Sequence, residues 1–460
     1  MSTVITTSMN VLPSFTNENT ILIDDGIYEN INLTINNKGT ISKPIIIKPK
    51  NNGKVIFSGT VNIKISGEYI ILSNIIFTNG KGSIQLEGSN NRITNCEFSL
   101  NDGLGPVLSV TRYNNRIDHN IFKDFPNFNP WVQILHEDDT MVDNIIIDSN
   151  VFMNRKKGTG NGFETIRFGL SGTSLSPSNS VIENNIFENC NGEIEIVSNK
   201  AGGNIYYKNT FKTSYGSLTL RHGNNVLVAK NKFLQNNAPE SGGVRVAAGS
   251  GHIVYNNLFK NTNNRAALII NSGTTANDIY NIPVSHSKFL KNIFLDCTLD
   301  ILIGSQYPIA PRNCEMKDNI IIKNSNDPVY QIESSTVDFD FYNNIYKVNN
   351  MGNIPAEYNQ KIYENAFHEQ ININNFGSSE VGTTNIFNNI IFDDKYGSEY
   401  YKYLNKLILD EINGNTHDNS TFLPPIEPTD ITILPSSGMS YHSTNPFLLL
   451  LCVFSFTKLF

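Results

Sequence analysis

Two carboxylates and three cations recur on short alternating pieces between Asn189 and His252. The pieces are GEIEIVS, GSLTLRHG and GGVRVAAG. Read as strands, they place alternate side chains on one face. Ile194, Ile196, Leu218, Leu220, Val244 and Val246 then form a buried stack, with Ile194, Leu218 and Val244 in line. Glu193, Glu195, Thr219, Arg221 and Arg245 face outward, and Lys200 follows the first piece. Two carboxylates two residues apart repel unless a cation sits between them. A hard cation with oxygen ligands resolves this, and Ca2+ suits it best because it accepts irregular, partly hydrated sites. A solvated acidic pair is the plainer reading of the glutamates alone. Beside Lys200, Arg221 and Arg245 it is the weaker one, because charges gathered over one groove point to a ligand.

Lys200 and Arg221 are 21 residues apart, and Arg221 and Arg245 are 24 apart. If that is one repeat unit, the three cations lie above one sheet, where an anionic sugar chain can run. A lysine crowded by cations is pushed toward its neutral form and can serve as a base. Taken singly, Lys200 reads equally well as a surface lysine.

The unit is visible elsewhere. A phrase of Asn, aliphatic residues and Phe recurs at Phe77, Phe98, Phe122, Phe152, Phe187, Phe211, Phe233, Phe259 and Phe294. Its tightest spacings are 21 to 24 residues. That length holds about three strands of 3–5 residues with turns, and no helix in every repeat. A parallel β-helix follows, in which each coil supplies the core of the next. The repeated Asn residues suit turns, where their amides can stack from coil to coil. Asn-rich low complexity would lack the regular Phe positions.

Hydrophobic residues make up 39% of the 460, enough for a core, and the net charge of −7 argues against a nucleic-acid partner. Cys96, Cys190, Cys297, Cys314 and Cys452 match no zinc or redox spacing. Cys96 and Cys190 are expected in one slot of the repeat, as small buried residues. The start, MSTVITTSMNVLPSF, shows no signal peptide. At the far end, small residues at Pro435–Gly438, a spacer and the apolar run Phe447–Phe456 have the layout of a glycosylphosphatidylinositol attachment signal. A buried C-terminal strand is the alternative. Asn32 and Asn419 head glycosylation sequons. The expected organisation is a β-helix over 1–350, a cap or appendage over 351–423 with a helix at Tyr400–Ile412, a Pro/Ser/Thr linker over 424–445 and the apolar tail over 446–460. The chain is expected to act as a monomer outside the cell or at its surface, touching the membrane only through such an anchor.

NGFETIRFG, NNIFENCNGEIEIVSNK, YKNTFKTSYGSLTLRHGN and GGVRVAAGSGHIVYNN together resemble polysaccharide lyase family 6, which holds the alginate lyases and chondroitinase B. The rhythm covers roughly residues 20–345 and is most specific from Asn161 to Asn257. The resemblance implies an all-β, right-handed parallel β-helix that cleaves an acidic uronate polysaccharide by β-elimination. It implies that Glu193 and Glu195 bind Ca2+, with Asn161 as a further ligand. Lys200 would take the C5 proton and Arg221 would protonate the leaving oxygen at C4. His222, Arg245 and Arg167 would hold the sugar chain. One departure is Asn199-Lys200, where the family usually has Ser-Lys.

Two other classes compete. A pectin-type hydrolase needs paired Asp residues on successive coils, and none is seen near this site. A non-catalytic sugar-binding or adhesive solenoid at the cell surface would not need Lys200 and Arg221 together. Alginate and dermatan or chondroitin polymers stay open as substrates.

Overall fold

The computed structural model describes residues 2–5, 19–354 and 397–415, apart from short stretches at 52–53, 100–104, 125–127, 138–139, 141, 275–279, 306 and 335–336. Contacts divide the chain into a unit at Met1–Pro425 and a second at Ile426–Phe460. The second, with most of the expected linker and all of the apolar tail, lies outside the described residues, as does Asn419. Among the described residues no helix is long and apolar enough to cross a membrane.

The first unit is a right-handed parallel β-helix. Each coil contributes strands to three parallel ladders. One ladder is a 14-stranded sheet that starts at Ser2–Ile5 and ends at Val337–Tyr342. The other two fuse where the long strands Val55–Ile65 and Ile75–Leu86 run through both. Most strands beyond this point are three to six residues long, because the coil must turn before a longer one can form.

Two internal columns set the register. The Phe residues from Phe77 to Phe294 lie opposite one another in successive coils. Their rings stack with centroids 4.5–5.0 Å apart and planes within 17°. That spacing is the natural rise between parallel strands, so ring stacking and backbone pairing reinforce each other. The second column is Asn120, Asn150, Asn185, Asn209, Asn231, Asn257, Asn292, Asn319 and Asn344, all buried. Each Asn Oδ1 from Asn150 onward accepts both the backbone N–H and the amide N–H of the Asn one coil earlier, at 2.8–3.0 Å. The amides also donate to carbonyls of the preceding coil, as Asn231 does to Tyr206. Buried turns thereby keep their polar groups paired.

The cysteines differ in one respect from expectation. Cys96 heads the Asn column, its N–H bonded to Asn120 Oδ1, whereas Cys190 lies opposite Arg155 beyond the Phe column. They do not share a slot, because the strand Ile186–Cys190 runs on past its Phe. Both, with Cys297 and Cys314, are buried free thiols.

The helix Gly397–Ile412 turns Tyr400, Leu404 and Ile408 inward, one face at a four-residue step. They pack on Ile146, Val181, Ile205, Leu227, Tyr255 and Leu290, the outer face of the 14-stranded sheet. Tyr400 donates to Glu183 Oε1 at 2.7 Å, and Glu411 accepts from Tyr255 at 3.1 Å and pairs with Lys230 at 2.7 Å. The helix thus lies along the flank of the coils.

Candidate active site

The charged side chains stand on the ladder formed by Ile166–Phe168, Glu195–Lys200, Gly216–His222 and Ser241–Val246. Ile166, Val197, Leu218 and Val244 are aligned and point inward. Arg167, Ser198, Thr219 and Arg245 form the aligned outward row. This corrects the expected alignment of Ile194 with Leu218 and Val244. Ile194 precedes the strand and is 37% exposed. The uniform alternation fails at a register shift between Glu195 and Val197, where Ile196 and Val197 are both buried. Glu195 consequently lies opposite Ser217 rather than in the row of Thr219 and Arg245.

A second shift falls between Asn199 and Lys200. Asn199 lies opposite Leu220 but Lys200 opposite His222, which leaves Arg221 as an extra residue, a bulge. Bulges re-aim side chains, and this one sets Arg221 beside the strand end that carries Lys200. Lys200 makes no ion pair or side-chain hydrogen bond among the described residues. His222 is buried, its ring edge-on to Tyr280 at 5.6 Å.

Glu193 also precedes its strand, so the two glutamates do not share one strand as expected. Its Oε2 accepts the Gly162 N–H at 2.9 Å. Gly162 has φ +101°, and a Cβ there would meet the Phe128 ring at 2.9 Å, so the turn that presents this N–H requires glycine. Asn161 is the exposed neighbour of Gly162, on the loop that holds Glu193. Burial, then Glu164 and Glu195, push the Glu193 carboxyl up to about 7, against the pull of the Gly162 and Phe163 N–H groups.

Glu195 sits between two guanidiniums, with Arg221 Nε at 3.9 Å and Arg245 Nη1 at 3.8 Å from its Oε1. Burial lowers Arg245 from the ordinary guanidinium range, Glu195 opposes this, and Arg221 and Arg265 add to the lowering. Arg167 stands in the same outward row, three coils before Arg245, with Nη1 3.7 Å from Glu164 Oε1.

Sequence reading missed Glu164, Arg265, Tyr280 and Tyr307. Glu164 lies within NGFETIRFG, but the loop between Arg155 and Ile166 breaks the coil period that would align it with Glu193. Arg265 and Tyr307 act on Arg245 electrostatically from later coils and carry no alternation signal of their own.

Glu164, Glu193 and Glu195 gather negative charge in a largely buried place, and Glu164 Oε2 is buried with no hydrogen-bond partner among the described residues. The side chains are not drawn into a finished metal cage: among the described residues no three His, Cys, Asp or Glu groups are set to hold one ion. An oxygen-seeking divalent cation nevertheless fits this donor set, since it would relieve a repulsion that raises Glu193. Chemically, the arrangement offers a lysine with no ion pair among the described residues, a bulged guanidinium and two further guanidiniums in one outward row.

The Chondroitinase B family model matches residues 6–393. Among solved structures, the PL6 family alginate lyase AlyGC is 26% identical, with a TM-score of 0.69, over 75% of this chain. The chain spans about half of that relative, 51% of its length. A mannuronic acid specific polysaccharide family 6 lyase from human gut microbiota is also 26% identical, with a TM-score of 0.64, over 72% of this chain and 81% of its own. A PL6 family polysaccharide lyase from Pseudopedobacter saltans shares the fold at 22% identity and a TM-score of 0.63, over 77% of this chain and 92% of its own. No curated protein matches.

Proposed function

The chain belongs to the Chondroitinase B family, and from that premise we propose that it is a polysaccharide lyase that cleaves a uronate-containing polymer by β-elimination. The observation that supports this best is the strand end at Lys200, a side chain with no ion pair among the described residues, next to the bulged Arg221 that flanks Glu195 together with Arg245. A hydrolase would need one acid and one base flanking the bond with room for water. Here the carboxylates crowd one another instead.

Glu193, Glu195 and Asn161 would hold Ca2+. Once bound, the ion supplies Lewis-acid stabilisation of the charge that builds on the uronate carboxylate. Lys200 acts as the neutral amine, whose Nζ lone pair accepts the C5 proton. The C5–H electron pair becomes the C4–C5 double bond, and the C4–O pair leaves with the glycosidic oxygen, to which Arg221 delivers a proton. One product carries the unsaturated end and the other a new hydroxyl.

Arg167 and Arg245 hold the chain by its carboxylates. Three coil steps separate them, about 14 Å at the usual strand spacing, so they serve different sugar residues. His222, buried against Tyr280 and opposite Lys200 in the ladder, would help to hold the sugar chain. An anchor signal in the C-terminal tail would put this activity at the cell surface, and Asn32, which is exposed, is open to glycosylation there.

The test is direct. The protein is incubated with alginate, its mannuronate and guluronate blocks, dermatan and chondroitin, each with and without chelator. Ultraviolet absorbance of unsaturated ends is followed, and alginate is the first polymer expected to respond. Binding without any such absorbance, on every polymer, would return the protein to the adhesive solenoids.

A further inference from the structure

Glu164 is a buried carboxylate beside the site whose hydrogen bonding is incomplete. It is 1% exposed, and its Oε2 has no hydrogen-bond partner among the described residues. Its Oε1 stands 3.7 Å from Arg167 Nη1, too far for a hydrogen bond. Arg155 feels the charge of Glu164 and Glu193, yet it donates to the carbonyls of Phe163 and Asn129, and its guanidinium lies over the Trp131 ring. Buried carboxylates are expensive unless paired and hydrogen-bonded. A fold that keeps one here forgoes stability in the metal-free state.

The position explains what the charge is for. Glu164 lies one coil before Glu193, two residues before the strand Ile166–Phe168 that pairs with Glu195–Lys200. The Gly158 and Thr165 N–H groups donate to the Gly192 and Ile196 carbonyls, which lays the segment carrying Glu164 along the segment carrying Glu193. Glu195 has Arg221 and Arg245 beside it, and Glu193 has the Gly162 N–H. Glu164 has no such hydrogen-bonding partner.

We infer that Glu164 is a positioning residue for the cation: its buried, incompletely hydrogen-bonded carboxylate, one coil before Glu193, sets the Ca2+ affinity of the site. This rests on the calcium reading above. It also separates two tasks among the acidic residues. Glu193 and Glu195 would meet the ion, while Glu164 supplies field from a buried place that Arg167 only partly offsets. The competing role is structural, with Glu164 serving to fix Arg167.

The experiment uses chelator-stripped full-length protein, titrated calorimetrically with Ca2+ alone, and melted with and without the ion. Loss of an outer-shell partner typically weakens metal binding about 10–100-fold. Glu164→Gln is expected to show that loss. Its melting temperature without Ca2+ should equal or exceed that of the wild type, while its rise on adding Ca2+ shrinks. Glu164→Asp, which keeps the charge, should recover part of the affinity. Wild-type affinity in Glu164→Gln would overturn the inference. So would an equal drop in melting temperature with and without Ca2+, the mark of a structural pair with Arg167. A wild type that takes up no Ca2+ would overturn the calcium reading itself, and this inference with it.

Discussion

Lys200 lies opposite His222, not opposite Arg221. The strands Glu195–Lys200 and Gly216–His222 lose step by one residue at the point where the proposed base and acid meet. Without that slip, Arg221 would be squarely paired in the ladder. With it, Lys200 and Arg221 lie at the adjoining ends of two strands that have lost step, and Glu195 lies 3.9 Å from the guanidinium.

Lys200→Ala and Arg221→Ala should each remove turnover while polymer binding largely persists. Loss of a proton-transfer group typically costs about 10²–10⁴-fold in rate. Arg221→Lys should recover little, because an ammonium cannot reproduce the planar fork of the guanidinium. Rates from absorbance, beside binding by calorimetry, check both. Near-normal turnover in Lys200→Ala would remove the elimination assignment.

Arg245→Ala should behave differently. Arg245 is buried, pairs with Glu195 and is proposed to hold the polymer. Its loss should raise KM more than it lowers kcat. A pure kcat effect would move Arg245 from binding into the chemical step.

Stripping with chelator should abolish activity, and Ca2+ should restore it. Glu193→Gln should weaken Ca2+ uptake in a calorimetric titration. Full activity in thoroughly stripped protein would mean that side-chain charge alone suffices.

The Glu193 carboxyl also predicts a pH dependence for the metal-free fold. Its folded value is raised from 4.5 to about 7, chiefly by burial and by Glu164. Between those values the folded state holds more protons than the unfolded chain. Stability therefore falls as pH rises through that window. Melting temperatures of chelated protein across it should decline in the wild type and decline less in Glu193→Gln. Equal slopes would mean that Glu193 does not carry the proton.

Asn231→Ala probes the fold rather than the site. The substitution removes the amide that bonds Tyr206 and Asn257 and strands the Asn209 N–H. Each buried group left unsatisfied costs about 1–3 kcal/mol. Chemical denaturation should show a loss of at least that size.

Much of this was legible beforehand, and the failures are local. The Phe column could be read because a ring that fills one slot of a coil must recur at every turn. The Asn turns followed for the same reason. The alternation of GEIEIVS misled because it is a property of letters, whereas the strand begins only at Glu195 and slips at Ile196. Glu164 stayed hidden because the loop between Arg155 and Ile166 removes the period that would have aligned it. The helix at Tyr400–Ile412 was legible from its apolar step, but its docking face was not, since the residues beneath it belong to coils far earlier in the chain.

That docking face has a mechanical consequence. A stack of coils joined only to neighbours flexes like a column of coins. The helix Gly397–Ile412 grips strands from Ile146 to Leu290, on the sheet away from the charged ladder. Arg167, Lys200, Arg221 and Arg245 all fall within that interval of sequence. The helix is a splint laid on a different sheet from these side chains, resisting the bending and shear that would alter their spacing. Among the described residues, coils before Ile146 and after Leu290 have no such brace, so amide exchange should spread inward from both ends and reach the coils of Lys200 and Arg221 last.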